Sequence, residues 1–179
     1  MINRMVVYDF DGTLFRSPEK EEGMHLYAQK VGKPYPHKGW WGRMESLMPP
    51  IVPMKPDISW YLAKTIDQYR LDKSCPNTNI LLMTGRINKF RSRIESLLAY
   101  QNIHFPKIYF SNDPDSVGSN TFEIKSNRIE KLLTPNIELL EIWEDRPDQI
   151  EQFHTWSIKL QKNLCHLVKI SVHDVMKDA

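Results

Sequence analysis

Two aspartates separated by one residue follow an apolar segment near the start of the chain. The sequence reads Val6-Val7-Tyr8-Asp9-Phe10-Asp11-Gly12-Thr13-Leu14-Phe15. The apolar run predicts a strand, and Gly12 lets the chain turn directly after it, so both carboxylates can reach one crevice beyond the sheet. Adjacent carboxylates favour either a divalent cation between them or a division into an ionised nucleophile and a protonated acid. Either arrangement suits phosphoryl transfer, and a solvated acidic turn is the alternative without chemistry.

Three later segments place polar residues at the predicted end of a strand or start of a helix. They are Ile80–Arg86, Lys125 before a helical pattern at 126–133, and Leu139–Asp148. Each has an ordinary explanation: threonine and glycine are common at turns, a lysine near a helix start is commonly solvated, and the dipole of a following helix favours an acidic pair. Only their order along the chain makes the set specific.

The four segments together resemble the motifs of the haloacid dehalogenase (HAD) superfamily. Asp9 and Asp11 correspond to its first motif, Thr84 to its second, and Lys125 to its basic residue. The acidic pair Glu144-Asp145 resembles the metal-binding fourth motif. The resemblance implies a Rossmann-like α/β fold with three α/β/α layers, a central largely parallel sheet and an insertion between the first two motifs.

The resemblance also implies a role for each of these residues. Asp9 would attack the phosphorus of a phosphomonoester and form an aspartyl-phosphate, which splits one difficult displacement into two easier ones. Asp11 would protonate the leaving group and then activate the hydrolytic water. Thr84, Gly85 and Lys125 would hold the phosphoryl group.

Mg2+ is the cofactor that the resemblance implies. Its expected ligands are Asp9, the backbone carbonyl of Asp11 and Asp145, with Glu144 reaching the ion through a water molecule. Many relatives have aspartate where this chain has Glu144, and the longer side chain leaves open which acid of the pair binds the metal directly.

Within the superfamily, the chain is most similar to Swiss-army-knife RNA repair-like HAD domains and to the phosphatase domain of polynucleotide kinase 3′-phosphatase. The segment that begins Glu144-Asp145-Arg146 and continues through Gln149 carries this likeness. It implies a phosphomonoesterase that removes 3′-phosphates from RNA or DNA ends. A small-molecule phosphatase or nucleotidase is the alternative enzyme, and a catalytically silent HAD-like binding module is the alternative from another class.

Residues 16–79 form the expected cap-like insertion and connecting helix within a single domain spanning 1–179. Trp40 and Trp41 lie beside basic residues, a combination that can stack bases and hold phosphates, although a satellite core would use the same tryptophans. Arg86 and Arg146 are expected either to contact flanking phosphates or to serve as ion-pair partners.

The spacing of apolar residues predicts strands alternating with helices. Helices are expected from a Ser17 cap to Val31, over 57–71 and 88–100, at 126–133 and at 147–162. Strands are expected to end at Thr84 and Trp143 and to cover 108–110 and 164–172. Six prolines between Gly32 and Pro56 exclude a long regular element there.

Composition indicates one intracellular domain. The 179 residues carry a formal net charge of +2, too small for a strong global field toward nucleic acid. Cys75 and Cys165 lack the spacing of a zinc site or a disulfide framework. The start of the chain has no signal-like segment and no run is long enough to span a membrane, so a cytoplasmic protein is expected, with the oligomeric state open.

Overall fold

A five-stranded parallel sheet forms the centre of the molecule and confirms the predicted Rossmann-like α/β class. The computed structural model describes residues 2–164, 166 and 168–178. The strands are β1 (Arg4–Tyr8), β2 (Thr78–Thr84), β3 (Ile108–Phe110), β4 (Leu139–Glu144) and β5 (Lys169–Asp174). The helices are α1 (Lys20–Val31), α2 (Ala63–Ser74), α3 (Arg91–Ala99), α4 (Thr121–Leu132), α5 (Pro147–Asn163) and α6 (Val175–Asp178).

The strand order β3-β2-β1-β4-β5 places β1 in the middle of the sheet. Tyr8, the last residue of β1, lies opposite Leu82 on one side and Trp143 on the other. The chain winds outward from β1 to β3 and then returns to add β4 on the opposite edge of β1. Ligands of open α/β sheets bind beyond the carboxyl ends of the strands at this kind of reversal. The fold therefore places a ligand crevice beside β1 and β4.

Alternate residues of the central strands enter two different hydrophobic clusters. Val6 of β1 and Leu82 of β2 belong to one cluster, whereas Val7 and Leu81 belong to the other. Successive side chains of a strand point to opposite faces, so both faces of the sheet are covered. This is why the strands read as continuous apolar runs. The three predicted layers follow from this double burial.

Several element boundaries differ from the predicted ones. Helix α4 begins at Thr121 because the Asn120 side chain accepts the Glu123 N–H as a cap, so Lys125 lies inside the helix and not before it. The sequence predicts Ser17 as the cap of helix α1. In the structure the helix follows Glu19, whose backbone N–H donates to the Glu22 carboxylate.

Two further elements begin later than predicted. Helix α2 follows a 3₁₀ turn at Ile58–Trp60 and starts at Ala63. Strand β5 covers Lys169–Asp174 in place of 164–172.

The Cys75 thiol is free and exposed, and Cys165 lies outside the described residues. No helix in the described part of the chain combines the length and apolar character needed to cross a membrane.

The proline-rich segment (residues 32–56) is an ordered covering of the domain. Its helical content is one 3₁₀ turn, Met44–Ser46. Arg93 of α3 is buried and donates to three carbonyl oxygens of this segment, Leu47 (2.8 Å), Met54 (2.9 Å) and Pro53 (2.7 Å). A planar guanidinium suits several acceptors at once. The segment is therefore attached to the same helix that follows β2.

A polar network connects the sheet to α2. Asp72 is buried, accepts the Tyr8 hydroxyl hydrogen bond and forms an ion pair with Arg4 at 2.7 Å. Arg4 also pairs with Glu141 of β4. Burial of the Tyr8 ring, together with its bond to Asp72, raises the pKa of Tyr8. The network thus links β1 to α2 through Asp72 and to β4 through Glu141.

We expect Asp72→Ala to destabilise the protein by about 2 kcal/mol, because the buried Tyr8 hydroxyl loses its acceptor and Arg4 keeps only Glu141 as a charged partner among these contacts. Urea unfolding measures the change. Asp67→Ala is the matched control: Asp67 is an exposed aspartate of the same helix that pairs with Arg70, and its loss should cost less than about 0.5 kcal/mol. Equal costs for the two variants would contradict the role of the network.

Arg93→Ala should release residues 47–54 from the domain, because three backbone carbonyls lose their donors together. Hydrogen exchange of this stretch, followed by mass spectrometry, should become faster by an order of magnitude or more. Arg91→Ala removes a partly exposed arginine of the same helix, which contacts Glu95 at 3.7 Å, and serves as the control. Unchanged exchange in Arg93→Ala would show that the attachment is held by other contacts.

Candidate active site

The carboxyl ends of β1, β2 and β4 bring the predicted site residues together. Asp9 follows β1, Thr84 ends β2 and Glu144 ends β4. The Asp9 N–H donates to the Trp143 carbonyl at 3.0 Å, which extends the pairing of β1 and β4 to the first aspartate. Residues more than a hundred positions apart in sequence therefore meet at one edge of the sheet.

Lys125 joins the two strands through a buried double ion pair. Its Nζ donates to Asp9 Oδ1 at 2.8 Å and to Glu144 Oε2 at 2.7 Å. Glu144 is 0% exposed, and its other oxygen, Oε1, accepts the backbone N–H groups of Asp145 and Arg146 at 3.3 Å each. Glu144 thus has protein donors on both oxygens. Asp9 Oδ2, by contrast, accepts no hydrogen bond from the residues that the structure describes.

The acidic residues of this cluster perturb one another strongly. Burial, with the nearby charges of Glu144 and Asp11, raises the pKa of Asp9 to about 7 despite the opposing charge of Lys125. Burial, then the charges of Asp9 and Glu144, raises the pKa of Asp145 to about 9. Burial of Lys125 opposes its charge, but the two carboxylates outweigh that cost and raise its pKa. The cluster therefore has a strongly negative electrostatic potential, which favours the binding of a further positive charge.

Asp9, Glu144 and Asp145 fit a divalent cation. One carboxylate oxygen from each lies within 4.8 Å of the others, and oxygen ligands are those that Mg2+ prefers. Asp145 Oδ1 is buried and has no hydrogen-bond partner. Because Glu144 already has its donors, Asp145 is the better candidate for direct coordination. The predicted coordination of Mg2+ by the backbone carbonyl of Asp11 stays a prediction.

Gly12 is the residue that lets Asp145 come close to the first motif. Its φ is +70°, and a Cβ added there would lie 1.9 Å from Asp145 Oδ2. Any side chain at this position would therefore collide with the carboxylate, in addition to straining the backbone. The glycine of the first motif is needed as much for this approach as for the turn.

Arg86 lies against Asp11 and also lines the cavity described below. It forms a two-pronged ion pair with the Asp11 carboxylate, Nε to Oδ2 at 2.9 Å and Nη2 to Oδ1 at 2.7 Å. Of the two roles predicted for Arg86, the structure thus shows the ion pair. Arg146 is exposed and pairs with Asp148 at 2.9 Å, yet it also lines the cavity described next.

A cavity of ≈ 350 Å³ opens above the acidic cluster. Eight of the predicted site residues share this space. They are Asp9, Asp11, Trp41, Gly85, Arg86, Lys125, Asp145 and Arg146. Thr84 is buried at the end of β2, where its Oγ1 accepts the Arg86 N–H at 3.1 Å, and it is not among the lining residues. Its predicted contact with a phosphoryl oxygen stays a prediction.

The two tryptophans of the proline-rich segment separate in the structure. Trp41 is 37% exposed and lines the cavity, with the Arg86 guanidinium 4.8 Å from its ring centre. Trp40 is 2% exposed, packs against Gly23 and donates its Nε1 hydrogen bond to the Pro18 carbonyl. The prediction of a substrate contact is therefore corrected for Trp40, whose ring belongs to the core.

Three cavity residues were not identified from the sequence. Thr121 at the start of α4, Gln149 in α5 and Glu19 before α1 all line it. Gln149 is buried and its Oε1 has no hydrogen-bond partner. The signal for Thr121 and Gln149 was their position in the first turn of a helix that follows a motif strand or loop. Glu19 carried no such signal because its place depends on how the insertion folds back.

Comparison with known proteins identifies the family. A model described as HAD domain family 1 in Swiss Army Knife RNA repair proteins matches residues 26–179. The chain belongs to this family. Thr84, Lys125, Glu144 and Asp145 lie inside the matched residues of this HAD domain, whereas Asp9 and Asp11 precede them.

Solved structures share the HAD fold at low sequence identity. A chain of the Pnkp1/Rnl/Hen1 RNA repair complex is 14% identical with a TM-score of 0.51, and the match covers 97% of this chain and 43% of that one. The HAD domain of the effector protein Lem4 from Legionella pneumophila is 16% identical with a TM-score of 0.48, over 97% of this chain and 86% of that one. This HAD domain therefore spans less than half of the Pnkp1/Rnl/Hen1 chain that it matches.

We predict that Mg2+ stabilises this HAD domain through Asp145. At about 100 times its Kd, the ion should add about 2.7 kcal/mol to the free energy of unfolding, measured as the difference between Mg2+ and EDTA. Asp145→Asn should abolish that difference. Asp148→Asn, which alters a nearby exposed aspartate, should keep it. An equal Mg2+ effect in wild type and Asp145→Asn would contradict the assignment.

Proposed function

We propose that this HAD domain is a Mg2+-dependent phosphomonoesterase that works through an aspartyl-phosphate and acts on 3′-phosphates of nucleic-acid ends. The observation that carries the proposal is the bridge from Lys125 to Asp9 and Glu144 at the floor of the cavity. One crevice thus contains a carboxylate with one oxygen that has no protein donor, a buried cation, and acidic residues that would hold a metal ion.

Asp9 is the proposed nucleophile. Lys125 holds Oδ1, which leaves Oδ2 to approach a phosphorus atom in the cavity. As the new bond between Oδ2 and phosphorus forms, the bond from phosphorus to the leaving oxygen breaks, and that oxygen takes a proton. Lys125 also offsets part of the charge of the transferring group, a contribution that is large inside a buried site.

Asp11 is the proposed proton carrier. It lines the same cavity, and both of its carboxylate oxygens are held by Arg86. Before the first step Asp11 takes up a proton from solvent, which releases one of its oxygens from Arg86, and it then gives that proton to the leaving alkoxide. In the second step it accepts a proton from the water that attacks phosphorus, and Asp9 is released as a carboxylate together with inorganic phosphate.

Mg2+ would be held by Asp9 and Asp145, with Glu144 beside them. When bound, it would neutralise charge on the phosphoryl oxygens. In their ionised forms, the four carboxylates of the site would exceed its two cationic side chains, Lys125 and Arg86, by two charges, which a divalent ion would balance.

The substrate proposal rests on the family and on the rim of the cavity. The family is described from Swiss Army Knife RNA repair proteins, and the Pnkp1/Rnl/Hen1 chain belongs to an RNA repair complex. Trp41 and Arg146 line the cavity and offer an aromatic face and a guanidinium. These are groups that can stack a terminal base and contact its flanking phosphate.

We predict Mg2+-dependent phosphate release from 3′-phosphorylated RNA or DNA oligonucleotides, at a higher rate than from matched 5′-phosphorylated oligonucleotides or mononucleotides. Asp9→Asn should lower the rate at least about a thousandfold, because the nucleophile is removed. Asp67→Asn, a change of the same kind on the exposed surface of α2, should retain activity. Phosphate release is measured for all substrates at equal concentration.

The alternatives give different results in the same assay. Release confined to mononucleotides or sugar phosphates would replace the repair substrate with a small-molecule substrate. Absence of release from every substrate, together with no binding of beryllium fluoride at Asp9, would favour the binding module. Equal rates for Asp9→Asn and wild type would contradict the proposed nucleophile.

A further inference from the structure

The Arg86 guanidinium is shared between the candidate active site and the insertion. One edge, Nε and Nη2, is bonded to Asp11, while Nη1 donates to the Trp41 carbonyl at 2.8 Å and to the Ser46 hydroxyl. An arginine side chain has five N–H donors, and these contacts use four of them. Arg86 is therefore committed to the protein on both sides.

The surroundings of Arg86 hold it in one orientation. Its side chain is buried, and the rings of Trp41 and Phe90 lie 4.8 and 5.2 Å from its central carbon. Ser46 is 0% exposed and donates its own hydroxyl hydrogen to the Arg43 carbonyl at 2.7 Å, which directs its lone pairs toward Nη1. A buried hydroxyl bonded on both sides has little freedom to move.

We infer that the insertion positions Asp11 through Arg86, with Ser46 as the positioning side chain. Because Arg86 holds both Asp11 oxygens, the location of the guanidinium sets where Asp11 can exchange a proton. Ser46 and the Trp41 carbonyl set the location of the guanidinium. The insertion thus contributes to proton transfer without touching the phosphoryl group. This inference rests on the proposed function, since it assigns a means of positioning to its proton carrier.

Misplacing a catalytic group by about 1 Å can cost about a hundredfold in rate. Loss of the Ser46 hydroxyl leaves the Asp11 ion pair in place but removes one of the two acceptors that hold Nη1, the other being the Trp41 carbonyl. Hydrolysis of the aspartyl-phosphate is the step that this change should slow most. In that step water forms a bond to phosphorus, Asp11 takes the water proton, and the bond from phosphorus to Asp9 breaks.

The test compares Ser46→Ala with wild type on p-nitrophenyl phosphate in the presence of Mg2+. The p-nitrophenolate group leaves without protonation, so its release does not require Asp11, whereas hydrolysis of the intermediate does. We expect kcat to fall about tenfold in Ser46→Ala, with a rapid burst of p-nitrophenolate before the slow steady rate. The burst amplitude counts the folded sites, so partial unfolding of the variant cannot imitate the result.

Ser59→Ala is the matched control, because Ser59 lies in the same insertion, is exposed, and its hydroxyl donates to the neighbouring Asp57. It should retain the wild-type kcat. A second measurement is independent of turnover: the Arg86 Nε–H proton, observed by NMR, should exchange with water faster in Ser46→Ala than in Ser59→Ala.

Each result has a definite meaning. A burst with slow turnover, together with faster Nε–H exchange, supports the inference. An unchanged kcat in Ser46→Ala, or a reduced kcat without a burst, overturns it while leaving the proposed function intact. A wild-type protein that releases phosphate from no substrate overturns the proposed function and this inference with it.

Discussion

The buried double ion pair of Lys125 is the interaction on which the candidate active site depends. It joins the residue after β1 to the last residue of β4, at the point where the strand order reverses. Neither carboxylate could be buried there alone, because an unpaired charge in an apolar interior is very costly. The same lysine leaves one Asp9 oxygen without a protein donor. One contact thus joins the carboxyl ends of β1 and β4 and leaves an oxygen of the proposed nucleophile available for substrate.

Two arginines connect this site to the insertion. Arg86 follows β2 and Arg93 lies in the next helix, so one short stretch of chain binds both Asp11, the proposed proton carrier, and the proline-rich segment. The segment has almost no regular structure of its own and needs these external donors for its carbonyl groups. In this HAD domain, the insertion therefore belongs to the structure of the site as well as to the wall of its cavity.

Membership of the family and the geometry of the site answer different questions. The fold is shared at 14% identity with a chain of an RNA repair complex, and such a fold supports many chemistries. The chemistry proposed here comes from the acidic cluster and Lys125. The proposed substrate rests on the rim, where Trp41 and Arg146 offer an aromatic face and a guanidinium. Assays with matched oligonucleotides and mononucleotides test substrate recognition at the rim, which the shared fold does not determine.

The α/β class and most of the acidic site could be predicted from the residue pattern alone. Asp9 and Asp11 come after the apolar strand β1, and the mixed strand β4 ends at Glu144, next to Asp145. The remaining placements depend on contacts between distant parts of the chain. Trp40 and Trp41 are adjacent and chemically alike, yet one enters the core and the other the cavity, because that choice depends on how a proline-rich segment folds against Gly23 and Arg86. The roles of Ser46, Thr121 and Arg93 likewise depend on partners distant in sequence, whose positions no local pattern encodes.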